Sequence, residues 1–290
     1  GTHPLKKGIL YYYFIITRRE KRMFKKSVVI GSMYGKEEFY DSFKSIAKAG
    51  YDAAEMWRWM DKDLERIIKL KEQYGIEITG ISGDMSGEDG DPALIDITRA
   101  DEYIELIKKS ITAAKKLECK YLHIHSNPVK YSDGSGFIDP IPHVSEKAKF
   151  AAMLLTLKRL APIVEEAGVV LVIEPTNTVV NAPNYFLNYT KDAADLIRLV
   201  GSPNIKVVYD VYHAQLMEGN LINTLRENMD VIDYVHFSDA PGKHEPGTGE
   251  INFKSVVNVL RELNYSGVIA FEAFPLKSVE DAYAAYKGIF

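Results

Sequence analysis

The chain has 290 residues, and its 36 basic and 40 acidic side chains give a formal net charge of −4 at pH 7. Hydrophobic residues make up 46% of the sequence, which suffices for a full core and excludes a disordered chain. The mild acidity disfavours a nucleic-acid partner, since phosphate binding needs clustered Lys and Arg, and the single cysteine, Cys119, excludes an intrachain disulfide framework and a multi-cysteine zinc site.

The first 22 residues differ in pattern from the rest. An apolar run at residues 9–16 lies between basic flanks, and it is far shorter than the roughly 20 residues of a membrane span. Basic residues rather than a small-residue cleavage site follow the run, so an export signal is the less favoured alternative. We predict that residues 1–22 are an extension outside the main fold, or alternatively an element that plugs one end of it, and that 23–290 form one catalytic domain. We expect a cytoplasmic protein without a membrane partner, with which a single cysteine is compatible.

From residue 25 onward, short β-branched runs alternate with longer amphipathic segments. The predicted strands are residues 27–32, 53–57, 76–81, 120–125, 169–173, 205–209, 231–237 and 268–271. The predicted helices are residues 37–49, 62–74, 101–117, 147–167, 191–200, 221–229, 253–263 and 279–286. Glycines that follow several of these helices supply their stops, as Gly75 and Gly168 do.

The alternation of apolar strands and helices predicts a parallel sheet covered by helices. Eight such units in a chain of this length predict a closed (β/α)8 TIM barrel of α/β class in a single domain. An open doubly wound sheet is the alternative. It is disfavoured because residues 31–35, after the first strand, lack the Gly-x-Gly-x-x-Gly pattern of a dinucleotide site.

Acidic residues and a histidine stand at the ends of the last four predicted strands. They are Glu174, Asp210, His236 and Glu272. Active sites of such barrels form at these carboxyl ends, where unpaired carboxylates are costly to desolvate and would repel one another. A divalent cation removes both costs. Three carboxylates and one imidazole suit Mn²⁺ or Mg²⁺, with Co²⁺ or Zn²⁺ as alternatives.

Other residues near the predicted strand ends have two interpretations each. His123 and His125 alternate on the fourth strand and point the same way, so each is interpreted as a core or substrate-lining histidine, with a ligand role of His125 as the less favoured alternative. Trp57 and Trp59 are candidates for an apolar wall over a sugar, or for packing against helices. Glu55 is interpreted mainly as a structural strand residue, with pocket lining as the alternative.

Three segments of the second half resemble the hydroxypyruvate isomerase family. They are IEPTN at residues 173–177, YDVYHAQLMEG at 209–219 and EPGTGEIN at 245–252. That family is part of the xylose isomerase-like TIM barrels, which also contain ketose 3-epimerases, inosose dehydratases and endonuclease IV. The likeness is specific over residues 170–275, and the barrel pattern extends it weakly to residue 25.

The resemblance implies roles for individual residues. It implies that the metal is held by Glu174, Asp210, His236 and Glu272. His213, in the Asp-x-x-His motif, would contact substrate oxygens, and Lys243 would be the basic substrate-binding residue of the loop after the seventh strand.

The chain also departs from the family pattern. Hydroxypyruvate isomerases tend to carry Gln where His236 stands, whereas His is typical of the ketose epimerases. The epimerases carry a second Glu six residues after the first, where this chain has Val180, followed by Asn181. Lys243 replaces the usual Arg and lacks its bidentate fork. These departures leave the identity of the substrate open.

The predicted chemistry is proton transfer between adjacent carbons of a sugar or hydroxy-keto acid, through an enediolate. Glu174 and Glu272 are the expected catalytic pair, since a carboxylate must reach the carbon-bound proton, and His213, Lys243, His125 and Trp57 are the expected substrate contacts. The alternatives are a ketose 3-epimerase, an inosose dehydratase-like lyase and a sugar-binding protein. A nucleic-acid enzyme is disfavoured because the third strand ends without a histidine, at residues 81–84. The sequence leaves open whether the protein forms a homo-oligomer.

Overall fold

The computed structural model describes residues 24–35, 38–134 and 136–290, so the predicted extension lies outside the described residues. Within these ranges, eight parallel strands close into one barrel in which each strand pairs with the next and the last pairs with the first. They are β1 (Lys25–Val29), β2 (Ala53–Glu55), β3 (Glu77–Ser82), β4 (Tyr121–Ile124), β5 (Val170–Ile173), β6 (Ile205–Asp210), β7 (Ile232–Phe237) and β8 (Val268–Phe271). The predicted TIM barrel is confirmed, and the open sheet is excluded.

Helices cover the outside of the barrel. Those that follow the eight strands and correspond to predicted helices are Ser42–Lys48, Leu64–Tyr74, Ala100–Leu117, Glu146–Ala167, Thr190–Val200, Leu221–Asn228, Phe253–Glu262 and Val279–Lys287. No helix among the described residues is both long and apolar enough to cross a membrane.

The helix Leu64–Tyr74 illustrates how the sequence sets the limits of these elements. The carboxylate of Asp63 accepts the backbone N–H of Arg66 at 3.1 Å and so caps the first turn, which is worth about 1 kcal/mol. Gly75 ends the helix with a φ of 65°, a left-handed conformation that glycine adopts without steric cost.

Strand periodicity explains why the candidate residues share one end of the barrel. Residues two apart on a strand point to the same face, and the first member of each pair packs in an apolar layer inside the barrel. The second member follows it by two residues and therefore lies on the same face, nearer the carboxyl end of the strand. The pairs are Val172 and Glu174, Val208 and Asp210, Tyr234 and His236, and Ala270 and Glu272.

The first predicted strand was placed too far along the chain. β1 ends at Val29, and residues Ile30–Met33 form a short helix instead of continuing the strand. Gly31 lies in this short helix, and a Cβ there would lie 2.6 Å from the ring of Trp57. The chain therefore turns at a point where only glycine allows the indole to approach.

Two further elements near the carboxyl end of the barrel were not predicted. A helix at Val211–Met217 follows β6 directly, and the side chain of Asp210 caps it by accepting the backbone N–H of Tyr212 at 2.8 Å. A short hairpin joins Val129–Lys130 to Gly136–Phe137 beyond β4. Both elements stand over the carboxyl end of the barrel and shape the cavity there.

Candidate active site

Four consecutive strands bring the predicted metal ligands together. Glu174, Asp210, His236 and Glu272 each offer one ligand atom, and these atoms lie within 4.8 Å of one another. All four side chains are buried. The register supports the cluster, since Asp210 is the direct neighbour of His236 across β6 and β7.

The donor set fits one divalent cation. His236 Nδ1 lies 3.5 Å from Glu174 Oε1 and 3.5 Å from Glu272 Oε2, yet it has no hydrogen-bond partner in the described part of the chain. A buried polar atom is costly to leave unsatisfied. Three carboxylates and one imidazole nitrogen around this point are ligands that Mn²⁺, Mg²⁺ or Zn²⁺ accept.

Glu55 lies on the far side of the His236 ring. Its Oε2 is 3.0 Å from His236 Nε2 and 3.7 Å from His123 Nε2. Burial by itself lowers the pKa of His236, but the carboxylates of Glu55 and Glu272 raise it well above its ordinary value. Burial dominates at His123 and lowers its pKa to about 4, so that ring is neutral. Sequence reasoning interpreted Glu55 mainly as structural, although a carboxylate at the end of an apolar strand was a signal.

Lys243 brings a cation into the same cluster. Its Nζ lies 2.8 Å from Glu272 Oε2 and 3.2 Å from Asp210 Oδ2. Burial by itself lowers the pKa of the Lys243 ammonium, but Asp210, Glu272 and Glu174 raise it above its usual range. The charged amine therefore neutralises part of the carboxylate cluster.

The loop that carries Lys243 is organised by Asp239, which is 1% exposed. Its carboxylate accepts four backbone N–H groups at 2.8–3.0 Å, from Ala240, Gly247, Gly249 and Ile251. Sequence reasoning missed this role of Asp239.

His213 faces the cluster as a neutral hydrogen-bond donor. Its Nδ1 lies 3.1 Å from the backbone nitrogen of Asn177, and because a backbone N–H can only donate, Nδ1 must accept. The ring proton then lies on Nε2, which is 3.5 Å from Asp210 Oδ2 and 3.8 Å from Glu174 Oε1. Burial and the nearby Lys243 cation lower the pKa of His213 to about 4.

His125 is held by a carboxylate that sequence reasoning missed. Asp84, at the end of β3, lies 3.0 Å from His125 Nδ1 and accepts the backbone N–H of His125 at 2.6 Å. The hydroxyl of Tyr103 donates to the same carboxylate at 3.1 Å. His125 Nε2 is thereby aimed at Glu174 Oε2, 3.9 Å away.

The predicted substrate contacts line one cavity of about 340 Å³ together with three of the four clustered residues. The substrate contacts in this cavity are Trp57, His125, His213 and Lys243, and the clustered residues are Glu174, His236 and Glu272. The indole N–H of Trp57 donates to Glu272 Oε1 at 3.3 Å. Phe137, from the unpredicted hairpin, packs on the His125 ring with centroids 5.0 Å apart and covers the cavity. Trp59 instead donates to Ser110 at 3.1 Å and packs against the core.

Residues 43–287 match the family model described as xylose isomerase-like TIM barrel. The chain belongs to this family. The match spans every strand of the barrel except β1 and includes all the clustered residues described above.

Curated relatives of this xylose isomerase-like chain carry isomerase names. A putative hydroxypyruvate isomerase from Danio rerio is 30% identical over 253 residues, which cover 84% of this chain and 87% of that protein. The hydroxypyruvate isomerase of Escherichia coli K12 is 28% identical, with 89% of this chain and 96% of that protein covered. A solved structure named AP endonuclease, family 2, from Brucella melitensis superposes with a TM-score of 0.81 at 24% identity, covering 91% of this chain and 98% of that one. At that identity the likeness shows the fold alone.

Proposed function

We propose that this chain is a divalent-metal-dependent isomerase of a hydroxy-keto acid or sugar, and that it moves a proton between adjacent carbons through an enediolate. The observation that carries the proposal is the cluster of Glu174, Asp210, His236 and Glu272, three of which line one cavity at the carboxyl end of the barrel. The isomerase names of relatives that align over most of the chain support it.

The chain's own residues would divide the work as follows. A bound cation at the four-residue cluster would polarise the substrate carbonyl and stabilise negative charge on its oxygen. Glu174 and Glu272 are the two clustered carboxylates whose side chains also line the cavity. One of them would take the carbon-bound proton and the other would return it to the neighbouring carbon.

Two polar groups would fix the substrate oxygens. The Nε2–H of neutral His213 and the ammonium of Lys243 lie 3.2 Å apart, so both can donate to one oxygen or to two neighbouring ones. His125 lines the other side of the cavity, and Trp57 and Phe137 supply apolar walls that exclude water. This arrangement suits a short, oxygen-rich substrate held at one end.

The test pairs Glu174→Gln and Glu272→Gln with a measurement of bound Mn²⁺, using hydroxypyruvate as the first substrate. We expect each metal-loaded variant to lose turnover and to stop incorporating deuterium from D₂O into the substrate carbon. Retained turnover in a metal-loaded variant would remove that residue from proton transfer. A wild-type protein that binds no divalent cation would refute the metal-dependent function.

A ketose 3-epimerase is the second candidate, and His236 in place of the family's usual Gln favours it. Val180, at the position of the epimerases' second Glu, disfavours it, since its side chain is 59% exposed and cannot transfer a proton. A panel of hydroxypyruvate, free ketoses and an inosose with Mn²⁺ and Mg²⁺ separates the outcomes. Inversion at C3 indicates an epimerase, loss of water indicates a lyase, and binding without deuterium exchange indicates a sugar-binding protein.

A further inference from the structure

We propose that Glu55 is a positioning residue that fixes the tautomer and orientation of His236 for metal binding. The inference rests on the proposed function in so far as it needs a cation at the cluster. The carboxylate is 1% exposed and lies inside the barrel at the end of β2. Its contact with His236 Nε2 at 3.0 Å joins β2 to β7, three strands apart around the barrel and 181 residues apart in the chain.

The hydrogen bond decides which nitrogen of His236 is free. A carboxylate can only accept, so the proton lies on Nε2 and points at Glu55. In the neutral ring that would bind a cation, Nδ1 presents its lone pair toward Glu174 and Glu272, at the centre of the candidate ligands. Metal-binding histidines commonly donate their other N–H to a carboxylate, which fixes the ring and raises its basicity.

Within the described ranges, Glu55 is the acceptor in contact with His236 Nε2. His123 is also a neighbour, and its ring stacks on His236 with centroids 5.3 Å apart at an interplanar angle of 10°. Neither nitrogen of His123 has a hydrogen-bond partner in the described part of the chain, and its stacked ring is not directed at His236 Nε2. Without Glu55, the Nε2–H of the imidazole would lose its acceptor, and the ring would lose its preferred orientation.

Glu55 is itself held in place. Burial by itself raises the pKa of Glu55, but the facing His123 and His236 and the hydroxyl of Tyr234 lower it below its ordinary value. The Tyr234 hydroxyl also lies 2.9 Å from Thr79 Oγ1, which is 2.7 Å from Ser27 Oγ. A chain of hydrogen bonds from Ser27 through Thr79 to Tyr234 thus supports the Glu55 carboxylate.

The test measures Mn²⁺ affinity by the loss of the free-ion EPR signal, independently of turnover. We expect Glu55→Ala to weaken binding by about 10- to 100-fold and Glu55→Gln, which keeps an acceptor oxygen, by less. Ser42→Ala is the matched control, because Ser42 is also 1% exposed but lies on the helix Ser42–Lys48, where its hydroxyl donates to the backbone oxygen of Phe39. It should leave affinity within about twofold of the wild type.

A double-mutant cycle separates positioning from a general structural effect. In a His236→Gln background, Glu55→Ala should add little further loss of Mn²⁺ affinity, since the imidazole that Glu55 orients is gone. Equal losses in both backgrounds would overturn the proposal, as would unchanged affinity in Glu55→Ala. If the wild type binds no Mn²⁺, the proposed function fails first. If the wild type binds Mn²⁺ and the Glu55 variants bind it with the same affinity, the proposed function stands and this inference alone fails.

Discussion

The ammonium of Lys243 lies 2.8 Å from Glu272 Oε2, so a cation supplied by the chain contacts a carboxylate that we propose as a metal ligand. The same amine also reaches Asp210, and its residue adopts a left-handed backbone with φ 54°. Lys243 and a bound cation would therefore share carboxylates. The amine would lower metal affinity while it holds a substrate oxygen next to the reacting carbons.

Replacing Lys243 should therefore change binding and turnover in opposite directions. In Lys243→Met, we expect Mn²⁺ to bind about tenfold more tightly, because a like charge is removed from the cluster. Turnover should fall by about a hundredfold, since an oxygen-binding donor is lost. EPR titration and steady-state kinetics measure the two effects. Lys254→Met, at an exposed helix position, is the control, and weaker Mn²⁺ binding in Lys243→Met would contradict the sharing of carboxylates.

Asp84 should act on substrate binding through His125. Asn at this position keeps the size but turns one acceptor oxygen into a donor, so it cannot satisfy the backbone N–H, the ring Nδ1–H and the Tyr103 hydroxyl together. We expect Asp84→Asn to raise KM for the substrate by about tenfold, with a smaller change in kcat. In a His125→Ala background the same substitution should leave KM unchanged. A further rise there would show that Asp84 acts by another route.

The barrel and the four-residue cluster followed from local pattern. Tyr234 and His236, like Val208 and Asp210, are two apart on apolar strands, so one periodicity encodes both the strand and the inward direction of its last residue. Counting strand–helix units then predicted the closed barrel. Residue propensity and spacing suffice to predict a feature, such as a strand and the residue at its end, that is contained within one segment of the chain.

The partners of the cluster depend on contacts between distant segments. Glu55 lies 181 residues from His236, and Asp84 lies 41 residues from His125. Neither pairing leaves a local signature, and the helix Val211–Met217 is too short to show a helical period. Strand closure brings these residues together, and the sequence pattern alone did not reveal which carboxylate faces which imidazole.

Cys119 should be inert to alkylation in the folded protein. Burial raises the pKa of its thiol to about 12, so at pH 8 only about one thiol in ten thousand is ionised. We expect no adduct after iodoacetamide treatment at pH 8, and complete single labelling in urea. Intact-mass spectrometry measures the number of adducts directly, because the chain has one cysteine. Rapid labelling of the folded protein would show that the strand end at Cys119 opens to solvent.

Asp239 should determine the stability of the loop that carries Lys243. In Asp239→Ala, four backbone N–H groups lose their shared acceptor in a buried position, so we expect the free energy of unfolding to fall by about 3 kcal/mol or more. Turnover should also be lost, since Lys243 would no longer be held against Glu272. Urea denaturation measures the first effect. Asp192→Ala, at an exposed helix position, should cost less than about 0.5 kcal/mol, and a similarly small cost at Asp239 would show that the loop is held by other contacts.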